Sequence, residues 1–190
     1  MNCIGVQMGQ PVPINIDNSI AAMAMAQLNG CNAEELKYGI KTYHGVDRRF
    51  DFKLRDDHHV VLSDYAHHPQ EIFQSAKSLK ELYAGRKITA LFQPHLYTRT
   101  RDFYKEFASA LSQLDEVILC DIYPAREEPI PGVTSQLIYD NLAEDVEKSM
   151  VKKEDVIELV KSRDFDVLVV LGAGDLDNYV NQISNIIKEK

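Results

Sequence analysis

The feature that most constrains the fold is a regular alternation of short apolar segments with helical segments, which runs from about residue 50 to the end of the chain. Apolar alternation or continuous apolar runs predict strands at 50–54, 59–62, 88–92, 117–121, 149–151 and 167–171. Helical spacing of apolar residues predicts helices at 70–83, 100–113, 135–141, 154–161 and 176–188. Strands that alternate with helices build βαβ units, so we expect an α/β fold: a Rossmann-like, mostly parallel sheet with helices on both faces.

The first 45 residues do not follow this alternation. They predict two helices, at 15–29 and 33–43, with helix-capping residue types at Asp17, Asn18 and Ser19. We therefore expect a helical segment from another domain over residues 1–45 and a separate α/β domain over residues 46–190.

Composition limits the classes of function. The 190-residue chain has a formal net charge of −8 and no basic block, which disfavours nucleic acid as a partner. It has neither an apolar run long enough to cross a bilayer nor the layout of a signal peptide, so no membrane partner and a cytoplasmic location are expected. Cys3, Cys31 and Cys120 are widely spaced and predict neither a disulfide framework nor a metal site.

Polar side chains follow three of the predicted strands, in segments 64–69, 93–102 and 121–128. Ligands of open α/β sheets bind beyond the carboxyl ends of the strands, so these segments predict a single site. Arg99 and Arg101 are expected to hold an anion, because cations at the start of a helix oppose its dipole.

Each of these segments also has a simpler interpretation. Asp64 could cap the helix that follows it, and His67 and His68 could be ordinary loop residues. We expect Glu127 and Glu128 to lie in a solvated loop. The segment 172–174, Gly-Ala-Gly, lacks the third glycine of a dinucleotide fingerprint and is expected to form a tight turn from strand to helix.

Five segments, in the same order along the chain, resemble motifs of the Mur ligases, and specifically of those that join L-alanine to UDP-N-acetylmuramate. They are Asn-Ile-Asp-Asn-Ser-Ile-Ala-Ala at 15–22, Gly-Val-Asp-Arg-Arg-Phe at 45–50, Asp-Tyr-Ala-His-His-Pro at 64–69, Phe-Gln-Pro-His-Leu-Tyr-Thr-Arg-Thr at 92–100, and the tract 121–132. The chain departs from many relatives at Ile14, where a histidine is common, and at Leu96, where a basic residue is common.

The resemblance implies that residues 1–45 are the tail of a central ATP-binding domain and that residues 46–190 are the C-terminal, amino-acid-binding domain. It implies an acyl-phosphate mechanism that uses ATP and Mg²⁺, with most metal ligands outside this chain. Asn18, Arg49 and Asp64 correspond to family residues that contact the adenine, the ATP and the ribose, respectively.

The resemblance, with the chemistry of the side chains, also predicts an amino-acid pocket. Arg99 is expected to bind the carboxylate of L-alanine with two parallel hydrogen bonds. Tyr65, His67 and His95 are expected to shape the pocket, and His67 or His95 to help deprotonate the ammonium group.

The chain contains no Gly-x-x-x-x-Gly-Lys-Ser/Thr loop for phosphates. We therefore expect a fragment that by itself neither hydrolyses ATP nor ligates alanine. Ile20, Met23 and Met25 are expected to expose apolar surface that promotes self-association.

Three alternatives stay open at this stage. The murein peptide ligases share the acid-aromatic-Ala-His-His-Pro segment. A metal-dependent phosphoesterase is suggested by Asp57, His58 and His59 together with the histidines further along the chain. A non-catalytic nucleotide-binding module would use the glycine pair and the edge of the sheet.

Overall fold

The computed structural model describes residues 5–8, 13–43 and 45–190. It divides into two compact units, one that ends at Val46 and one that spans Asp47–Lys190. Cys3 lies outside the described residues, as does the side chain of Ile14. In the described part of the chain, every helix is too short or too polar to cross a membrane.

The first unit contains two helices, α1 (Pro13–Leu28) and α2 (Ala33–Thr42). The predicted caps of α1 at Asp17–Ser19 are wrong, because the helix begins at Pro13, a residue whose fixed φ suits a first helical position. α2 begins with a capping box, in which Asn32 and Glu35 each accept the other's backbone N–H.

The second unit is built on a six-stranded sheet with the strand order β1-β2-β6-β3-β4-β5. The strands are β1 (Asp51–Arg55), β2 (Val60–Asp64), β3 (Ile88–Phe92), β4 (Glu116–Leu119), β5 (Glu147–Met150) and β6 (Val167–Leu171). The helices are α3 (Pro69–Leu82), α4 (Tyr97–Leu111), the short α5 (Gln136–Tyr139), α6 (Val156–Ser162) and α7 (Val180–Lys188). β1 pairs antiparallel with β2, and all other pairs are parallel, which agrees with the mostly parallel sheet that the sequence predicted.

Helices cover both faces of the sheet. Leu91, Leu168 and alternate residues of the other central strands pack against α6 and α7. The opposite face carries Phe92, whose ring lies 5.5 Å from that of Phe107 in α4. This confirms the predicted α/β class, and burial on both faces explains why β6 is apolar throughout and β3 is apolar except for Thr89.

The topology decides which loops meet. β6, the last strand in the chain, lies between β2 and β3. The loops after β2, β6, β3 and β4 therefore lie side by side along the carboxyl edge of the sheet. The glycine turn at 172–174 directly follows β6 and therefore sits in the middle of this row.

Candidate active site

The loop after β2 presents His67 in a defined orientation. Its Nδ1 lies 2.8 Å from the carbonyl oxygen of Tyr65, and its ring packs edge-on to the Tyr65 ring at 5.0 Å. Because a carbonyl oxygen only accepts, Nδ1 carries the proton and donates it. The lone pair of the neutral ring is therefore on Nε2.

Glu71, in the first turn of α3, holds this loop. Its Oε2 accepts the backbone N–H groups of His67 at 2.9 Å and His68 at 3.1 Å, and it lies 3.6 Å from His67 Nδ1. Burial raises the pKa of Glu71, but the two N–H donors and the nearby His67 outweigh this effect and leave the pKa below its ordinary value. Glu71, and not Asp64, therefore caps α3.

His95, in the loop after β3, lies at the centre of the site. Its ring is 6.1 Å from that of His67 and stacks on Tyr123 at 5.6 Å. Its Nδ1 lies 3.3 Å from an Nη of Arg99. Partial burial, followed by the charges of Arg99 and His67, holds the pKa of His95 below its ordinary value, so the ring is neutral near pH 7.

Arg99 lies half-buried in the first turn of α4. Within the described residues its guanidinium forms no ion pair, and its contact is with His95. The structure thus brings together His67 from the loop after β2, His95 from the loop after β3, and Arg99 from α4. Among the described residues, the Arg99 cation has no acidic partner. A carboxylate ligand would complete this arrangement.

Asp64 is held apart from these side chains. Only 8% of it is exposed, and its carboxylate accepts hydrogen bonds from the Ser75 hydroxyl in α3 and from the backbone N–H groups of Ala66 and Phe50. Burial raises the pKa of Asp64, and these hydrogen bonds oppose the rise. The hydrogen bond to Ser75 ties Asp64 to α3, a contact that the sequence did not predict.

The two arginines that precede β1 have different environments. Arg48 donates to the carbonyl oxygens of Gly172 and Gly174, each at 3.2 Å, and pairs with Asp177 at 3.3 Å. Arg49 is exposed, and among the described residues it forms no ion pair; its guanidinium lies 5.4 Å from the Tyr65 ring centre. Arg48 therefore anchors this segment to the sheet, whereas Arg49 stays available to a ligand.

The glycine turn after β6 is shaped by Gln93, a buried residue that sequence reasoning did not select. Gln93 accepts the N–H of Leu176 at 3.0 Å and donates to Asp175 at 3.2 Å. A Cβ on Gly172 would lie 2.6 Å from the Gln93 carbonyl oxygen, and one on Gly174 would lie 2.9 Å from Tyr123 Cβ. This close approach of neighbouring atoms explains why the chain has glycine at both positions.

Several other predicted residues lie elsewhere. Arg101 is exposed and pairs with its neighbour Asp102 at 2.7 Å, whereas Arg99 forms no ion pair among the described residues. Anion binding by Arg101 stays a prediction. Asn18 is exposed on α1, in the first unit. Within the described ranges, no three His, Cys, Asp or Glu side chains cluster in a way that could hold a metal ion.

Known proteins are similar to this chain in sequence and in fold. Residues 48–174 match the family described as Mur ligase, glutamate ligase domain. The chain is 60% identical over 189 residues to a UDP-N-acetylmuramate–L-alanine ligase of Phocaeicola vulgatus, and the match covers 100% of the chain and 41% of that relative. The chain therefore spans about two fifths of the length of the curated relatives it matches.

Solved structures show the same fold. A UDP-N-acetylmuramate–alanine ligase from Thermotoga maritima superposes with a TM-score of 0.74 at 28% identity, over 96% of this chain and 38% of that chain. A murein peptide ligase from Psychrobacter arcticus superposes with a TM-score of 0.64 over 97% of this chain and 39% of that chain. At 17% identity, the second match shows the fold alone.

Proposed function

The chain belongs to the Mur ligase family, and from this premise we propose that it is the amino-acid-binding part of an ATP-dependent ligase that joins L-alanine to UDP-N-acetylmuramate in peptidoglycan precursor synthesis. In this proposal, residues 1–45 belong to the central ATP-binding domain and residues 46–190 form the C-terminal domain. The observation that carries the proposal is the Arg99 guanidinium, which lies beside His95 without an acidic partner among the described residues.

Arg99 binds the carboxylate of the incoming amino acid. A guanidinium matches a carboxylate with two parallel hydrogen bonds, and a half-buried cation is screened less by water than an exposed one. The neutral ring of His95 lies against Arg99 and adds no second positive charge to the pocket. Tyr65 forms another wall through its contact with His67.

Of the two histidines, His67 is suited to accept the ammonium proton. Its Nδ1–H is committed to the Tyr65 carbonyl oxygen, so the free lone pair on Nε2 can accept a proton from the amine. In His95, Nδ1 accepts from Arg99, so the neutral ring carries its proton on Nε2 and can only donate there. The deprotonated amine would then attack the carbonyl carbon of the acyl phosphate, and the amide C–N bond forms as the C–O bond to phosphate breaks and phosphate leaves.

The family implies ATP and Mg²⁺, and the residues of this chain fit them unequally. The exposed Arg49 fits an ATP phosphate, because it lacks an ion pair within the described part of the chain. ATP supplies the phosphoryl group that activates the carboxylate. Asp64 is bonded to Ser75 and turned inward, so its proposed contact with the ribose requires that its side chain reorient. For Mg²⁺, the described residues offer no ligand cluster, and we assign none here.

The alternatives receive less support. A murein peptide ligase, which would use a tripeptide in place of L-alanine, is disfavoured because the relative that matches the whole chain at 60% identity is named for L-alanine. A metal-dependent phosphoesterase is disfavoured because Asp57, His58 and His59 precede β2 whereas His67 follows it. A five-residue strand separates these groups by roughly 15 Å or more, too far to share one ion.

A hybrid ligase tests the proposed function. The segment of the Phocaeicola vulgatus relative that aligns with this chain is replaced by the chain itself, and phosphate release is measured with ATP, UDP-N-acetylmuramate and L-alanine. We expect L-alanine-dependent release. Release that needs the tripeptide instead of L-alanine would support the murein peptide alternative.

Two controls complete the assay. The Arg99→Ala hybrid is expected to lose most activity at low L-alanine and to keep its dependence on ATP concentration. The isolated chain is expected to release no phosphate. If the hybrid folds and binds nucleotide but shows no dependence on any amino acid, the proposal is wrong.

A further inference from the structure

The first turn of α4, which carries Arg99, has no cap of its own. Its N-cap position is Leu96, which makes no side-chain cap, and the turn contains no acidic residue. Leu96 also has a φ of +74°, a left-handed conformation that a branched residue adopts at a cost of about 1–3 kcal/mol. A helix start that holds arginine opposes the helix dipole, so this turn needs a negative partner from elsewhere.

Glu127, from the loop after β4, supplies that partner. Its Oε2 accepts the backbone N–H of Thr98 at 2.9 Å, and its Oε1 accepts the Thr98 hydroxyl. Both carboxylate oxygens are therefore engaged with the residue directly before Arg99. These donors hold the pKa of Glu127 below its ordinary value, so its carboxylate is negatively charged while it accepts the hydrogen bonds of Thr98. Glu127 lies in a largely exposed loop, as expected, but its carboxylate is hydrogen-bonded to Thr98 instead of pointing freely into solvent.

The same loop holds the other end of the segment that bears His95. The backbone N–H of Tyr123 donates to the Pro94 carbonyl oxygen at 2.8 Å, and the Tyr123 carbonyl oxygen accepts the N–H of Leu96 at 3.0 Å. Between Tyr123 and Glu127, Ala125 adopts a φ of +52°, which is uncommon for a residue with a side chain. The loop after β4 therefore holds residues 94–98 by hydrogen bonds at two points, Tyr123 and Glu127.

We propose that Glu127 is a positioning residue of the amino-acid site, which fixes the first turn of α4 through Thr98 and thereby directs Arg99 at the substrate carboxylate. This inference rests on the proposed role of Arg99 in binding L-alanine. In this role Glu127 acts through Thr98, to which both of its oxygens are hydrogen-bonded.

Titration of L-alanine into the 190-residue chain, followed by NMR, tests this role. Loss of a charge-assisted hydrogen bond that orients the ligand-binding group should weaken L-alanine binding by about tenfold in Glu127→Ala. Glu128→Ala is the matched control: it removes the same charge one residue away at an exposed position, and we expect a change within about twofold. Glu127→Gln keeps an acceptor for Thr98 and should fall between the two.

The Arg99→Ala background separates positioning from a general loss of structure. If Glu127 acts through Arg99, adding Glu127→Ala to Arg99→Ala weakens L-alanine binding no further. If the two losses multiply, or if Glu127→Ala binds L-alanine like the unchanged chain, the proposal is overturned. Should Glu127→Ala fail to fold, Glu127→Gln in both backgrounds gives the same comparison.

A ligand-free measurement distinguishes failure of this inference from failure of the proposed function. If the unchanged chain binds no L-alanine, the proposed amino-acid site is in error. The NMR signals of Arg99 and His95 in the ligand-free chain then test whether Glu127 positions the first turn of α4. The negative charge of Glu127 raises the pKa of His95, so Glu127→Gln should lower that pKa and displace the Arg99 Nε–H signal. Signals identical to those of Glu128→Ala would refute the positioning role.

Discussion

Replacing Gly172 with alanine should unfold the second unit at a markedly lower urea concentration. Gly172 has a φ of +131°, where a residue with a Cβ costs about 1–3 kcal/mol. The added Cβ would also lie 2.6 Å from the Gln93 carbonyl oxygen, a backbone atom that cannot move away without shifting β3. Overpacking of this kind adds about 1–3 kcal/mol. The sum, about 2–6 kcal/mol, is a large share of the 5–15 kcal/mol typical of a domain.

Gly132→Ala is the matched control, because Gly132 also has a positive φ, +78°, but nothing lies within 4 Å of the added Cβ. It should cost about 1 kcal/mol, from backbone strain alone. The assay is urea unfolding of the 190-residue chain, followed through the amide signals of β6 so that the second unit is observed separately. Equal unfolding midpoints for the two variants would refute the argument that close approach to Gln93 requires a glycine at 172.

Three further outcomes test other parts of the site. Arg99→Lys keeps the charge but loses the planar pair of donors, so L-alanine titrations should show binding weakened by about tenfold; unchanged affinity would argue against two-pronged recognition. Because the pKa of His95 is lower in the folded chain than in the unfolded chain, His95 of the unfolded chain binds a proton at a higher pH. The free energy of unfolding therefore has its full contribution from His95 above about pH 6.5 and loses it as the pH falls through the folded-state pKa. Urea unfolding at pH 7.5 and pH 5.5 should differ less for His95→Gln than for the unchanged chain. Burial raises the pKa of Cys120 to about 12, so at pH 8 a thiol reagent should modify it far more slowly than Cys31, and equal rates would contradict its burial.

The order and type of the elements could be predicted from the sequence because each depends on local patterns. The predicted bounds 88–92 and 167–171 coincide with β3 and β6, since β6 is a continuous apolar run, β3 is interrupted only by Thr89, and polar residues or glycine flank both strands. Helix starts were predicted less well. α4 was expected to begin at residue 100, but it begins at Tyr97 because Glu127 caps its first turn from a distant loop.

In the candidate site, too, some features follow from the sequence and others only from the tertiary structure. The sequence by itself determined which loops carry the polar side chains, because parallel strands end at one edge of a sheet and the motifs follow those strands. Tertiary structure alone decided that β6 lies between β2 and β3, that Asp64 turns inward to Ser75, and that Glu127 reaches Thr98. These outcomes depend on which distant strands become neighbours, and the period of apolar residues along a chain carries no record of that choice.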